Sequence, residues 1–187
     1  MSERYDIILA DPPWQYKVWS RDTGAGRSAE SHYPTMTLDA ICALPVRELA
    51  AQDACLFLWV VWPSLFDAQK VIEAWGFEYK TLAWTWVKAN KSGVGFFTGM
   101  GYYTRANTEP CLLATRGNIG RPENRGIRSL IYAPVREHSR KPDEQYQKIE
   151  RLYPGKRYLE LFARRKREGW ASWGNEVVCD VKLEARS

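Results

Sequence analysis

Apolar residues fall in short, nearly unbroken runs separated by longer amphipathic stretches. Tyr5 to Ala10 is the first run and Cys55-Leu56-Phe57-Leu58-Trp59-Val60-Val61 the most apolar; Thr81 to Val87, Pro110 to Thr115, Ser129 to Tyr132 and Tyr158 to Phe162 follow. Runs apolar at successive positions predict strands covered on both faces, as in a mostly parallel sheet with helices on either side. The stretches between them carry helical spacing. Leu38 to Leu44 is a short example. After Ser64, a candidate cap with Asp67 three residues on, Leu65, Ala68, Val71, Ile72 and Trp75 share one side, and Gly76 closes the helix. A last helix is predicted to start around Pro142-Asp143-Glu144 and to stop at Tyr153-Pro154-Gly155. Alternation of the two periods predicts an α/β fold.

Two segments break the pattern, Gln15 to Thr35 and Ala89 to Asn107. Gly93, Gly95, Gly99 and Gly101 in the second have neither the G-x-G-x-x-G spacing nor the G-K-[ST] ending of a phosphate loop. Both segments read as surface loops long enough to cover a site.

The 187 residues, 45% of them apolar, suit one domain spanning 1–187. No run of about 18 apolar residues and no export signal is present, which predicts a cytoplasmic protein with no membrane partner. Cys42, Cys55, Cys111 and Cys179 lack C-x-x-C spacing, and only His32 and His138 could assist them. Buried free thiols, with no metal, are the expectation. Charge is uneven: residues 116–170 carry 15 Lys and Arg against 7 Asp and Glu, including Arg164-Arg165-Lys166-Arg167. Such a block either neutralises a phosphate backbone or forms a solvated basic face.

Candidate chemistry sits behind the first strand, at Asp11-Pro12-Pro13-Trp14. An exocyclic amino group on a nucleobase is a poor nucleophile because its lone pair is delocalised into the ring. A site that activates it must accept its hydrogens and let the nitrogen pyramidalise. Asp11 is a charged acceptor and the Pro12 carbonyl a second; neither Pro12 nor Pro13 has an N–H to compete. Trp14 offers a face for the base, worth about 1–3 kcal/mol. The tripeptide alone also reads as a strand end followed by a turn.

Further blocks follow in order: Leu56-Phe57-Leu58-Trp59, Asn107-Thr108-Glu109, Arg136-Glu137-His138-Ser139-Arg140-Lys141-Pro142-Asp143-Glu144, Glu160-Leu161-Phe162-Ala163-Arg164 and Trp173-Gly174-Asn175-Glu176. Together with Ala10-Asp11-Pro12-Pro13-Trp14 they resemble the MT-A family of adenine-N6 methyltransferases, whose best known eukaryotic member is the mRNA N6-methyladenosine writer. The chain is most similar to the compact bacterial and phage forms, from about Tyr5 to Val177.

That resemblance implies a Rossmann-like methyltransferase of circularly permuted motif order, catalytic strand early and donor-binding strand late, with S-adenosylmethionine as cofactor. By resemblance the catalytic residues are Asp11, Pro12, Pro13 and Trp14. The donor site comprises Ala10, Asp11, Lys141, Glu160, Phe162, Arg164, Asn175 and Glu176, the last standing where the eukaryotic enzyme has an uncharged amide. The substrate pocket comprises Asn107, Glu109, Arg136 and Lys141, with Tyr102 and Tyr103 facing nucleic acid. Glu109 and Arg136 could instead pair with each other. His138 is assigned to loop structure or substrate contact, and Trp59, Trp62, Trp75, Trp84 and Trp86 to the core. The implied setting is a bacterial cytoplasm or a phage-infected host, with DNA preferred over RNA and a second copy of the chain as a candidate partner. An RNA adenine-N6 methyltransferase, a silent nucleic-acid-binding subunit and a cytosine-N4 enzyme are the alternatives; the intact Asp-Pro-Pro-Trp speaks against the silent subunit, and Asp rather than Ser at position 11 against the cytosine enzyme.

Overall fold

The computed structural model describes residues 3–15, 35–101, 103–137 and 140–183. Most of the segment from Gln15 to Thr35, together with Tyr102 and His138, therefore lies outside the described residues.

Among the described residues seven strands form one sheet: β1 (Tyr5–Ala10), β2 (Ala50–Trp59), β3 (Glu78–Ala89), β4 (Thr108–Arg116), β5 (Leu130–Pro134), β6 (Tyr158–Leu161) and β7 (Trp170–Trp173). Their order is β5-β3-β4-β2-β1-β6-β7. β1 pairs in parallel with β2 and β6, β6 with β7, and β3 with β5, as the two-faced apolar runs predict. β4 alone is reversed, antiparallel to both β2 and β3. That reversal has a functional consequence: it brings Thr108 and Glu109, the first residues of β4, to the rim where every other strand ends. Asp11 follows β1 directly at this rim, and the register Leu9↔Glu160 places the end of β6 beside it. First and sixth strands in the chain are thus sheet neighbours, the permuted order expected. β2 flanks β1 on the other side, so the rim between β1 and β6 is the switch point at which α/β sheets bind ligands.

Helices cover both faces. Ile8, Ala10, Leu56 and Leu58 point to one, where they pack with Ile41 of α1 (Leu38–Cys42), Val46 and Leu49 of α2 (Val46–Leu49), and Ala68, Val71 and Ile72 of α3 (Leu65–Ala74). Ile7, Leu9, Phe57 and Trp59 point to the other, against Ile149 of α4 (Glu144–Leu152). Alternate residues of β1 and β2 thus feed two cores, which is why these runs are apolar throughout. Thr37 caps α1, accepting from the Ala40 N–H at 3.2 Å. Ser64 stands at the α3 cap position but makes no side-chain cap bond: a 3₁₀ turn, Trp62–Ser64, leads in and buries it. α2 and β7 had no counterpart among the predicted elements.

The segment from Ala89 to Asn107 folds back on itself. Phe97 donates to the Lys88 carbonyl at 2.8 Å, and a Cβ on Gly99 or Gly101 would lie within 2.0 Å of the Ala106 or Thr104 carbonyl oxygen, so both glycines serve close backbone approach. Cys55 and Cys111 are buried thiols as expected, whereas Cys42 is half-buried and Cys179 exposed. Among the described residues no helix is long and apolar enough to cross a membrane.

Candidate active site

Asp11 does not face solvent as an isolated carboxylate. Lys141, from the segment before α4, donates to its Oδ2 at 2.8 Å and also contacts Glu109 Oε1 at 2.9 Å. Glu109 Oε2 in turn meets Lys88 Nζ, at the end of β3, at 2.8 Å. Four charges thus alternate along the rim: Asp11, Lys141, Glu109, Lys88. Lys141 and Glu109 are 9% and 10% exposed, whereas Asp11 keeps 33% of its side chain open. Burial lifts the Asp11 carboxyl above the ordinary carboxylate range, reinforced by Glu109 and opposed by the Lys141 ammonium. Burial acts the same way on Glu109, but Lys141 and Lys88 outweigh it and hold that carboxyl below its usual value. Lys141, flanked by two carboxylates, is held firmly protonated despite its own burial.

The ion pair does not close the site. A cleft open to solvent runs along the rim between β1 and β6, lined by Asp11, Trp59, Lys141, Tyr146, Glu160, Phe162 and Arg164 among others. Tyr146 donates to both oxygens of Glu160, at 2.9 and 3.1 Å. Burial nevertheless pushes the Glu160 carboxyl up to about 7, with the hydrogen bond from Tyr146 opposing and the charge of Asp11 adding. Phe162 follows Glu160 with φ +61°, the left-handed region that a non-glycine residue adopts at a cost, and its ring packs edge-on against Trp173. Beside it, a Cβ on Gly174 would stand 2.1 Å from the Ala163 carbonyl oxygen; only glycine lets the turns after β6 and β7 touch here.

Of the residues expected from the sequence, Asp11, Lys141, Glu160, Phe162 and Arg164 share this cleft, and Glu109 joins through Lys141. Ala10 is the buried last residue of β1. Asn107 is half-buried and its carbonyl accepts from the Lys88 N–H at 2.8 Å. Asn175 is exposed, and Glu176 reaches Arg164 at 3.4 Å. Tyr103 is exposed.

Several expectations are corrected. Trp14 is no open plate: it is 5% exposed and spends its indole N–H on the Trp59 carbonyl at 2.9 Å. The Pro12 carbonyl already accepts from the Trp14 N–H at 2.8 Å, leaving one lone pair for a ligand. Arg136 does not pair with Glu109; it pairs with Asp143 at the head of α4, itself part of the cleft lining. Part of the basic segment is paired within the protein: Arg140, Arg165, Lys166 and Arg167 meet Asp143 and Glu137, Glu137, Asp180 and Glu150. Trp62 is not core but 46% exposed. Lys88 and Tyr146 escaped the sequence reading. A lysine closing the apolar run Trp84-Thr85-Trp86-Val87 was the available signal for the first; an aromatic beside buried Gln145 near the start of α4 was that for the second.

A mostly parallel, permuted sheet with acids at the ends of two adjacent strands is the arrangement expected of a Rossmann-like α/β methyltransferase. Comparison with known proteins gives the family. The MT-A70 model matches residues 5–176, and the chain belongs to the MT-A70 family. It is 34% identical to the type II methyltransferase M.MunI of Mycoplasma sp, over 97% of this chain and 81% of that protein. It is 36% identical to an N(6)-adenosine-methyltransferase MT-A70-like protein of Arabidopsis thaliana and 33% identical to the N(6)-adenosine-methyltransferase catalytic subunit METTL3 of Homo sapiens. These matches cover 92% and 93% of this chain but only 24% and 28% of the two plant and human proteins.

Membership implies S-adenosylmethionine as methyl donor, and the cleft suits one. Glu160 is a mostly buried carboxyl that a phenol alone does not keep in the ordinary range, so a donor such as a ribose diol or an ammonium group would satisfy it.

Proposed function

We propose that the chain transfers a methyl group to the N6 amino group of adenine in nucleic acid, with DNA the favoured polymer. The observation that carries this is Asp11, half-buried directly after β1, ionically fixed by Lys141 and one-third open to the cleft. A bound S-adenosylmethionine would supply an electrophilic methyl, whose bond to sulfur breaks as the new bond to N6 forms, the electron pair leaving with the neutral thioether. Glu160, Phe162 and Arg164 would hold the donor along the β6 side of the cleft, with Glu176 against Arg164 and Asn175 next to it in the chain. Asp11 and the Pro12 carbonyl would accept the two N6 hydrogens, so that the nitrogen lone pair turns out of the ring. Lys141 fixes the carboxylate at Oδ2 and leaves its remaining acceptor capacity for the amine. As the N6–carbon bond forms, the nitrogen becomes positive and acidic. The neighbouring carboxylate stabilises that charge, and the proton leaves to Asp11 or to water. Burial, by raising the Asp11 carboxyl, makes it the better acceptor. Orientation and preorganised charge do the catalytic work. In duplex DNA the adenine must first leave the stack, at a cost of a few kcal/mol.

DNA is favoured because the chain matches most of the length of a type II methyltransferase but only a fraction of the N(6)-adenosine-methyltransferases. The test is incubation with labelled S-adenosylmethionine and, in parallel, duplex DNA, single-stranded DNA and RNA, followed by nucleoside analysis. N6-methyladenine in DNA is the expected product, lost in Asp11→Ala while donor binding persists. Label in RNA alone would reassign the polymer, and none in any arm would point to a silent binding subunit.

A further inference from the structure

Trp62 is anchored as few exposed aromatics are. It sits in the turn that follows β2, at the same rim as Asp11, and its indole N–H donates to both the carbonyl and the hydroxyl of Thr108, at 3.0 and 3.1 Å. That N–H lies in the ring plane. The bonds therefore fix the ring's orientation while leaving its faces unspent, and 46% of the residue stays exposed. Thr108 precedes Glu109, which contacts Lys141, which contacts Asp11, so a continuous set of contacts links this ring to the amine-accepting carboxylate. Among the described tryptophans near this rim, Trp14, Trp59 and Trp86 are 5%, 0% and 4% exposed, and the half-buried Trp173 packs edge-on against Phe162 on the β6 side.

We infer that Trp62 is a stacking platform for a nucleobase of the substrate strand, seated on the same rim as Asp11, on the β4 side of β2. The inference rests on the proposed nucleic-acid reading and names the residue that grips the strand. A rigid, flat, half-exposed indole is suited to a π-face of any base, and such contacts are sequence-tolerant. The hydrogen bonds to Thr108 couple the platform to the start of β4, which also carries Glu109.

The test measures affinity of the full chain for single-stranded random-sequence DNA by anisotropy, and KM and kcat for methyl transfer, in wild type, Trp62→Ala, Trp62→Phe and Tyr79→Ala. Tyr79 is an exposed aromatic at the opposite end of β3 and serves as control. Trp62→Ala should weaken DNA binding and raise KM by about tenfold or more, within the range of base–aromatic stacking, with donor affinity unchanged. Trp62→Phe should restore most of the loss, because it keeps a face while giving up the bonds to Thr108. Equal affinity in Trp62→Ala and wild type, or a Trp62→Phe as impaired as Trp62→Ala, overturns the platform. Affinity lost on Trp62→Ala in a chain that methylates nothing would uphold the platform while refuting the enzymatic reading. Once the methylated position is mapped, an abasic residue beside it that erases the Trp62→Ala effect assigns the ring to the neighbouring base; persistence of the effect assigns it to the target adenine.

Discussion

Asp11 and Glu160 stand at the ends of adjacent parallel strands and line the same cleft, yet one is answered by a buried ammonium and the other by a phenol. Both are lifted by burial. Lys141 opposes the rise at Asp11, whereas at Glu160 the carboxyl reaches about 7 despite Tyr146. A built-in countercharge suits a group that must be oriented and ready before substrate arrives. A carboxyl with Arg167 only at a distance and no cation in contact is finished by its ligand. The same rim thus separates a preorganised half, which handles the amine, from a half whose charge state depends on what binds there.

Removing the countercharge is the severest way to break this contrast. Lys141→Met leaves Asp11 and Glu109 in a buried site without the cation they share, and loss of one partner of a buried pair costs about 3–5 kcal/mol. Urea unfolding should show that drop, and methyl transfer should fall by about a hundredfold or more, as when a positioned electrostatic group is lost. Adding Glu109→Gln should return much of the stability and none of the activity. Wild-type turnover by Lys141→Met would show that Asp11 orients itself.

Glu160→Gln probes the other half, with a smaller and pH-dependent effect. The folded value of about 7 lies above the ordinary 4.5, so protonated Glu160 is the form the fold prefers. Stability linked to this group is fully present below about pH 4.5 and is lost as pH rises through about 7. Without donor, Glu160→Gln should therefore melt like wild type near pH 4.5 and be the more stable protein at pH 8, by up to about 3 kcal/mol. Donor affinity should move oppositely: weaker in the variant at pH 8, and falling in wild type below about pH 7 as the acceptor is neutralised. A pH-independent difference between the two proteins would remove Glu160 from this role.

What could be read from the sequence divides along physical lines. Strands β1 and β2 were legible because alternate residues serve two cores, leaving no polar position to blur the run. The reversal of β4 was not legible, since a doubly covered strand has the same composition in either direction. β7 is only four residues long, with alternating burial, and stays below the length at which periodicity is informative. Within the site, Asp11 could be named because its chemistry is local to one tetrapeptide. The partnership of Lys88 with Glu109 could not, because it depends on the register Trp86↔Glu109 between two strands. Trp62 and Trp14 were misjudged in opposite directions for one reason. Whether a tryptophan at a strand end faces the core or the rim is decided by where its N–H finds an acceptor, and Thr108 and Trp59 are 46 and 45 residues away.

Lys88→Met tests the outermost charge of the series and should have the smallest effect. Lys88 is partly exposed and Glu109 keeps Lys141, so the loss is that of one charged hydrogen bond at a partly wet site, about 1–2 kcal/mol. The sign with pH is fixed by Glu109, whose folded value is depressed. Stability from this group is present above the ordinary carboxyl value and is lost as pH falls through the folded one. The gap between wild type and Lys88→Met should accordingly be widest near neutral pH and close on acidification, when a protonated Glu109 attracts neither lysine. Melting curves from pH 3 to pH 8 read this directly. A gap that stayed constant would trace the effect to the aliphatic stem and not to the ion pair. A loss of methyl transfer as large as that of Lys141→Met would mean that the preorganised half extends to the end of β3.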